Sequence, residues 1–251
     1  MNKSNKGFTL VELLVVIGIL GILMSALFPA VSGAMLSAKT AACAADGRNI
    51  IMGIITANTD CENSGMGSLW PVTTAQEGAN ENSDDSEDVR KGGYTTTYEY
   101  FSRLFKMKTY GDDNWEPDVD KSLLSKLYGQ GVPGPSSKEL KNTNVKWIIG
   151  ANVDNVPGNM PILFTRNVAI GPIETITEYD GQSTTTPKID LGTKNSADYD
   201  IPFAGDAVVV VRKDGGAQVI KKRQCNPKVF FQQGFKLTSS GDNQFKYLTA
   251  K

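Results

Sequence analysis

The sequence predicts an α+β fold in which a long amino-terminal helix packs on a head built around an antiparallel β-sheet. Three observations predict it. From Leu13 to Val31 no side chain is ionisable, and the apolar stretch that contains this run opens at Phe8 and carries one charge, Glu12. Residues 32–58 are alanine-rich, with Lys39, Asp46 and Arg48 on one side and Ile50, Ile51, Ile54 and Ile55 at helical spacing. Nearer the carboxyl end, Asp206–Arg212, the turn Lys213-Asp214-Gly215-Gly216 and Ala217–Lys221 spell strand, turn, strand.

Taken as helix, Leu13–Val31 spans about 28 Å, the thickness of a bilayer core. Lys3 and Lys6 flank its amino end and Lys39 is the first basic residue beyond it. The positive-inside rule therefore holds the amino end in the cytoplasm and sends the body outward. A conventional secretory signal fits poorly, because its apolar core is shorter and tolerates neither Glu12 nor Pro29 well. A carboxylate in such a segment costs on the order of 2.5 kcal/mol on insertion scales, so Glu12 needs a reason. Thr9 and Glu12 supply a local one, a T-x-x-E capping box at the helix start. Gly18, Gly21 and Ser25 put small residues on one face, a pattern that lets helices approach closely and that also reflects the glycine content of membrane helices. Pro29 lacks an amide donor, which predicts a kink or loosening between Gly21 and Pro29.

The string Gly7-Phe8-Thr9-Leu10-Val11-Glu12, behind a short basic leader and ahead of an unbroken apolar helix, resembles the prepilin-type signal of type IV pilins and type II secretion pseudopilins. The match extends through Gly21 and Pro29 to about Val31. It implies cleavage between Gly7 and Phe8, methylation of the new amine on Phe8, and an assembly role for Glu12. It also implies the partners: a prepilin peptidase/N-methyltransferase, other pilin or pseudopilin subunits, an inner-membrane assembly platform, and lipid before assembly. The implied location is the bacterial inner membrane, single-pass with the head outside the cytoplasm, and then a filament. The division expected is a leader at 1–7, a transmembrane assembly helix at 8–31, its amphipathic continuation at 32–58 and a pilin-like α+β head at 59–251.

The stretch reads as one amphipathic helix continuing the span, in which Gly47 and Gly53 each weaken the helix by up to about 1 kcal/mol and leave it open to a break near Gly47. Residues 59–93 read as a polar loop, in which Glu77 to Asp88 carries six acidic residues and no basic one. Asp112, Asp113, Asp118 and Asp120 form a second acidic group. Clustered carboxylates suit calcium, but no EF-hand spacing occurs, and a solvated surface loop is the favoured reading. No cofactor is expected. Tyr98, Phe101, Leu104 and Phe105 mark one short helix, and Leu123, Leu124, Leu127 and Tyr128 another. Val145–Ile149 and Pro161–Thr165 read as strands, and Val229–Phe231 and Phe235–Leu237 as edge strands.

Cys43, Cys61 and Cys225 are odd in number. An oxidising exterior favours a Cys61–Cys225 disulfide, with unpaired buried thiols as the alternative. The chain has no histidine, and G-x-S-x-G, P-loop and CxxC signatures are absent, so the usual catalytic constellations cannot be built. The isoelectric point of 5.6 does not suit a nucleic-acid surface. The sequence thus predicts a non-enzymatic filament subunit, with a minor or tip subunit acting as a binding module, or an unassembled single-span anchored domain, as alternatives.

Overall fold

A computed structural model describes residues 9–65, 67–74, 92–106, 121–128, 145–169, 173–192, 202–237 and 244–249. The acidic groups at 77–88 and 112–120, and Gly7 and Phe8, lie outside the described residues. The chain divides into two compact units, Met1–Lys39 and Thr40–Lys251.

Helix α1 runs without interruption from Leu10 to Asn63, through Pro29 and Gly47. In the first unit, every described residue except the half-buried Leu36 is exposed. In the second unit, Cys43, Gly47, Ile50, Ile51, Ile54, Ala57 and Cys61 form a buried stripe. The spacing of three and four is that of an amphipathic helix. The break left open at Gly47 does not occur, because the glycine serves a close approach. A Cβ there would lie 2.6 Å from Trp147 Cη2 and 2.8 Å from Val211 Cγ2.

The remaining elements among the described residues are α2 (Thr97–Lys106), β1 (Trp147–Ala151), β2 (Pro161–Thr165), β3 (Glu178–Tyr179), β4 (Ala207–Arg212), β5 (Ala217–Lys221), α3 (Pro227–Phe231), β6 (Phe235–Lys236), β7 (Lys246–Tyr247) and 3₁₀ helices at Lys121–Lys126, Pro202–Gly205 and Lys222–Gln224. Five strands form an antiparallel sheet in the order β5-β4-β2-β1-β7, while β3 and β6 pair separately. Strands β1, β2 and β4 are buried at every position. Register explains why. Val211, Leu163 and Ile149 share one face with Trp147, the face that meets Gly47 of α1. Val210, Phe164 and Ile148 share the other. There Phe164 meets Phe230 of α3 at 5.4 Å and Tyr247 at 4.8 Å, both edge to face. A sheet covered on both sides reads as continuous hydrophobic runs, and Ala207–Val211 is such a run.

Two expectations are corrected. Val229–Phe231 is not an edge strand but the end of α3, capped where the Asn226 side chain accepts from Val229 N–H at 3.0 Å and started by Pro227. The loop expected from residue 59 begins later, since α1 continues to Asn63, and it contributes Leu69 and Trp70 to the core. Asn58, buried in the last turns of α1, accepts from Leu69 N–H at 2.6 Å and from Ser68 Oγ at 3.1 Å, and so folds the chain back onto the helix. The helix expected around Leu123–Tyr128 is the 3₁₀ segment, and α2 falls where its spacing predicts.

Candidate assembly site

The amino end of α1 is built by Thr9 and Glu12. Glu12 Oε2 accepts from Thr9 N–H at 2.9 Å and Thr9 Oγ1 at 2.8 Å, while Glu12 N–H donates to Thr9 Oγ1 at 3.3 Å. This reciprocal box satisfies amides that a helix start otherwise leaves orphaned. Both Thr9 bonds fall on Oε2. Among the described residues Oε1 accepts no hydrogen bond.

The stretch of α1 that carries this carboxylate, residues 10–31, is apolar and uncovered. Leu10 is 79% exposed, Phe28 76% and Ile22 70%. At Gly18 and Gly21 a Cβ would meet nothing within 4 Å, so no contact among the described residues calls for a glycine at either position. The proline at 29 cannot donate to the carbonyl of Ser25, yet the helix continues past it, and Ser32 Oγ donates to Pro29 O at 2.9 Å. This helix alone, among the described residues, is long and apolar enough to cross a membrane.

Cys61 and Cys225 are not brought together, and no disulfide joins them. Met52 sits against the Gly215 turn of the β4–β5 hairpin. Cys61 lies nine residues further along α1, about 13 Å by helical rise. Cys225 follows the opposite end of that hairpin, past the Ala207–Lys221 pair. Bridged cysteines need Cα atoms within about 7 Å. Burial, partly offset by the Lys146 charge, pushes the Cys43 thiol up to about 11. Burial, reinforced by Asp190, pushes Cys225 to about 11 as well. Both sulfurs are therefore poor thiolates.

Sequence reasoning missed the polar contacts that hold the head together. Asp46 of α1 binds Lys146 Nζ at 3.1 Å and Lys126 Nζ at 3.6 Å, and Lys146 also lies 5.3 Å from the Trp147 ring centroid. Lys213, in the hairpin turn, donates to the carbonyls of Val153, Asp154 and Val156 at 2.7, 3.2 and 3.1 Å. Neither set has a local signal, because Asp46 and Lys146 stand 100 residues apart and Lys213 and Val153 stand 60 apart, so the partners meet only after folding. No group of three or more His, Cys, Asp or Glu side chains among the described residues is placed to hold a metal ion.

Among protein families, the pattern described as the prokaryotic N-terminal methylation motif matches residues 2–28. No curated protein and no solved structure matches the chain. The motif, the long helix whose apolar start it covers, and the small antiparallel sheet on which the second half of that helix packs match the pattern of the pilin and pseudopilin family.

Proposed function

We propose that this family-type structural subunit is matured by cleavage after Gly7 and methylation of Phe8, and then polymerises into a type IV pilus-like or type II secretion filament through its amino-terminal helix. The observation that carries the reading is Glu12, an acid in an otherwise apolar, uncovered helix, with one oxygen bound by Thr9 and the other accepting no hydrogen bond among the described residues. Cleavage creates an amine on Phe8, and methylation preserves its positive charge. In low dielectric the carboxylate of one subunit and the amine of its neighbour stabilise each other, and loss of one partner from such a pair costs roughly 3–5 kcal/mol. The pair fixes the axial stagger between packed helices, as buried polar groups do in coiled coils.

The apolar helix supports single-pass anchoring before assembly. In this scheme Lys3 and Lys6 keep the leader cytoplasmic, and their removal takes the side-chain charge from −1 to −3. Gly18 and Gly21 then admit neighbouring helices at close range. The partners are a peptidase that also methylates, an assembly platform in the membrane, and copies of this or related subunits.

The test is assembly of the Glu12→Ala chain, scored beside its membrane level and the mass of its amino-terminal peptide. The expected result is normal insertion and a methylated Phe8 with filament yield reduced about tenfold or more, consistent with the energy of a broken buried pair. Filaments at the unsubstituted level would refute the role of Glu12, and an intact leader in cells would refute the maturation.

A further inference from the structure

We propose that the basic turn between β5 and α3 is a docking surface for an acidic segment of a neighbouring copy of this chain, supplied by residues 77–88. The inference rests on the filament reading for its setting. Lys221 ends β5, Lys222 and Arg223 begin the 3₁₀ helix Lys222–Gln224, and Lys228 follows in α3. All four side chains are exposed. None has a carboxylate within salt-bridge distance among the described residues, whereas Lys126, Lys146, Lys188 and Lys236 each do.

The acids nearest this turn do not neutralise it. Asp206 receives Lys222 N–H through its backbone carbonyl, and Asp190, whose charge reaches Cys225, is paired with Lys188 at 2.8 Å. The chain as a whole carries only −1, so an uncompensated basic cluster must be balanced by an acidic excess elsewhere. The densest such excess is Glu77, Glu81, Asp84, Asp85, Glu87 and Asp88, a run without a basic residue. Opposite patches on one subunit type favour a head-to-tail contact, which repeats along a polymer. They also steer subunits into register and repel wrong alignments.

The same cluster has a second reading, as a guard on the free edge of the sheet. The bonds Arg212 N–H to Gly216 O and Lys222 N–H to Asp206 O set the β4–β5 register, so Ala217, Val219 and Lys221 turn their main-chain groups outward. Lysines discourage strand addition at such an edge. The two readings predict opposite effects of charge removal: a docking surface loses association, and a guarded edge gains it. Residues 77–88, rich in Asn, Ser, Asp and Glu, are poor strand formers, so their docking is through side-chain charge.

The experiment uses the full-length chain in non-ionic detergent and a synthetic peptide with the sequence of residues 77–88. The peptide is expected to bind at low ionic strength, to weaken with salt, and to bind Lys221→Glu/Lys222→Glu/Arg223→Glu at least about tenfold less tightly. The corresponding Gln triple variant gives an intermediate loss with an unchanged unfolding transition. In mixed isotope-labelled copies within filaments, zero-length amine–carboxyl cross-links join 221–223 of one copy to 77–88 of another. Equal peptide binding by the Glu variant, increased self-association of the Gln variant, or cross-links confined to single copies would each overturn the proposal. The peptide arm needs no filament, so its failure is separate from a failure of Glu12-dependent assembly.

Discussion

At Gly47 a single hydrogen decides how closely a helix meets a sheet. A methyl group there would press on Trp147 and Val211 from two sides, and neither is a flexible chain end. Overpacking of this kind costs about 1–3 kcal/mol, so Gly47→Ala is expected to lower the unfolding free energy by that amount, read as a lower denaturant midpoint at unchanged slope. Cys43 titrates in the same layer. Its thiol is pushed from an ordinary value near 9 to about 11, chiefly by burial. Below pH 9 both folded and unfolded chains keep the proton and the thiol contributes no pH dependence. Between about 9 and 11 the unfolded chain releases it first, so stability falls as pH rises through that window. The unsubstituted chain should therefore lose stability more steeply across that window than Cys43→Ala, measured by urea unfolding at stepped pH.

Elements are joined by contacts between distant positions rather than by their own propensities. The Lys213 ammonium gathers three carbonyls from the turn between β1 and β2, and the backbone adds Lys213 N–H to Met160 O at 3.0 Å and Asp214 N–H to Gly158 O at 2.9 Å. Removing the ammonium strands the carbonyls it served, a loss of about 2 kcal/mol for hydrogen bonds to a charged group. Lys213→Ala should thus speed amide exchange selectively in residues 153–160 and 213–216. Helix α3 is five residues long and depends on its start. Asn226→Ala removes the cap and should cost about 1 kcal/mol, read as a lower unfolding midpoint. The Asn-Pro pair at 226–227 is the signal that separates this helix from the strand its apolar residues suggest.

On the scale of the whole chain, the core and the membrane-grade segment are separate resources. Every buried hydrophobic side chain among the described residues lies at Cys43 or later, and the first unit contributes none. A chain beginning at Thr40 should accordingly keep its cooperative unfolding transition and stay in solution without detergent, checked by thermal melting and sedimentation. Because no disulfide links Cys61 to Cys225, a non-reducing peptide map should recover the two residues in separate peptides.

Local patterns in the sequence were enough for the apolar helix, the Thr9–Glu12 box, the β4–β5 hairpin and the α+β class. Each depends on residues a few positions apart, whose spacing and chemistry act before any distant contact forms. Only the tertiary structure decided that Gly47 admits Trp147 instead of breaking α1 and that the sheet is covered on both faces. It also decided that Asp46 and Lys213 tie remote segments together and that Cys61 stands apart from Cys225. Those outcomes are set by packing between segments far apart in the chain, where close fit and buried charge override local preference.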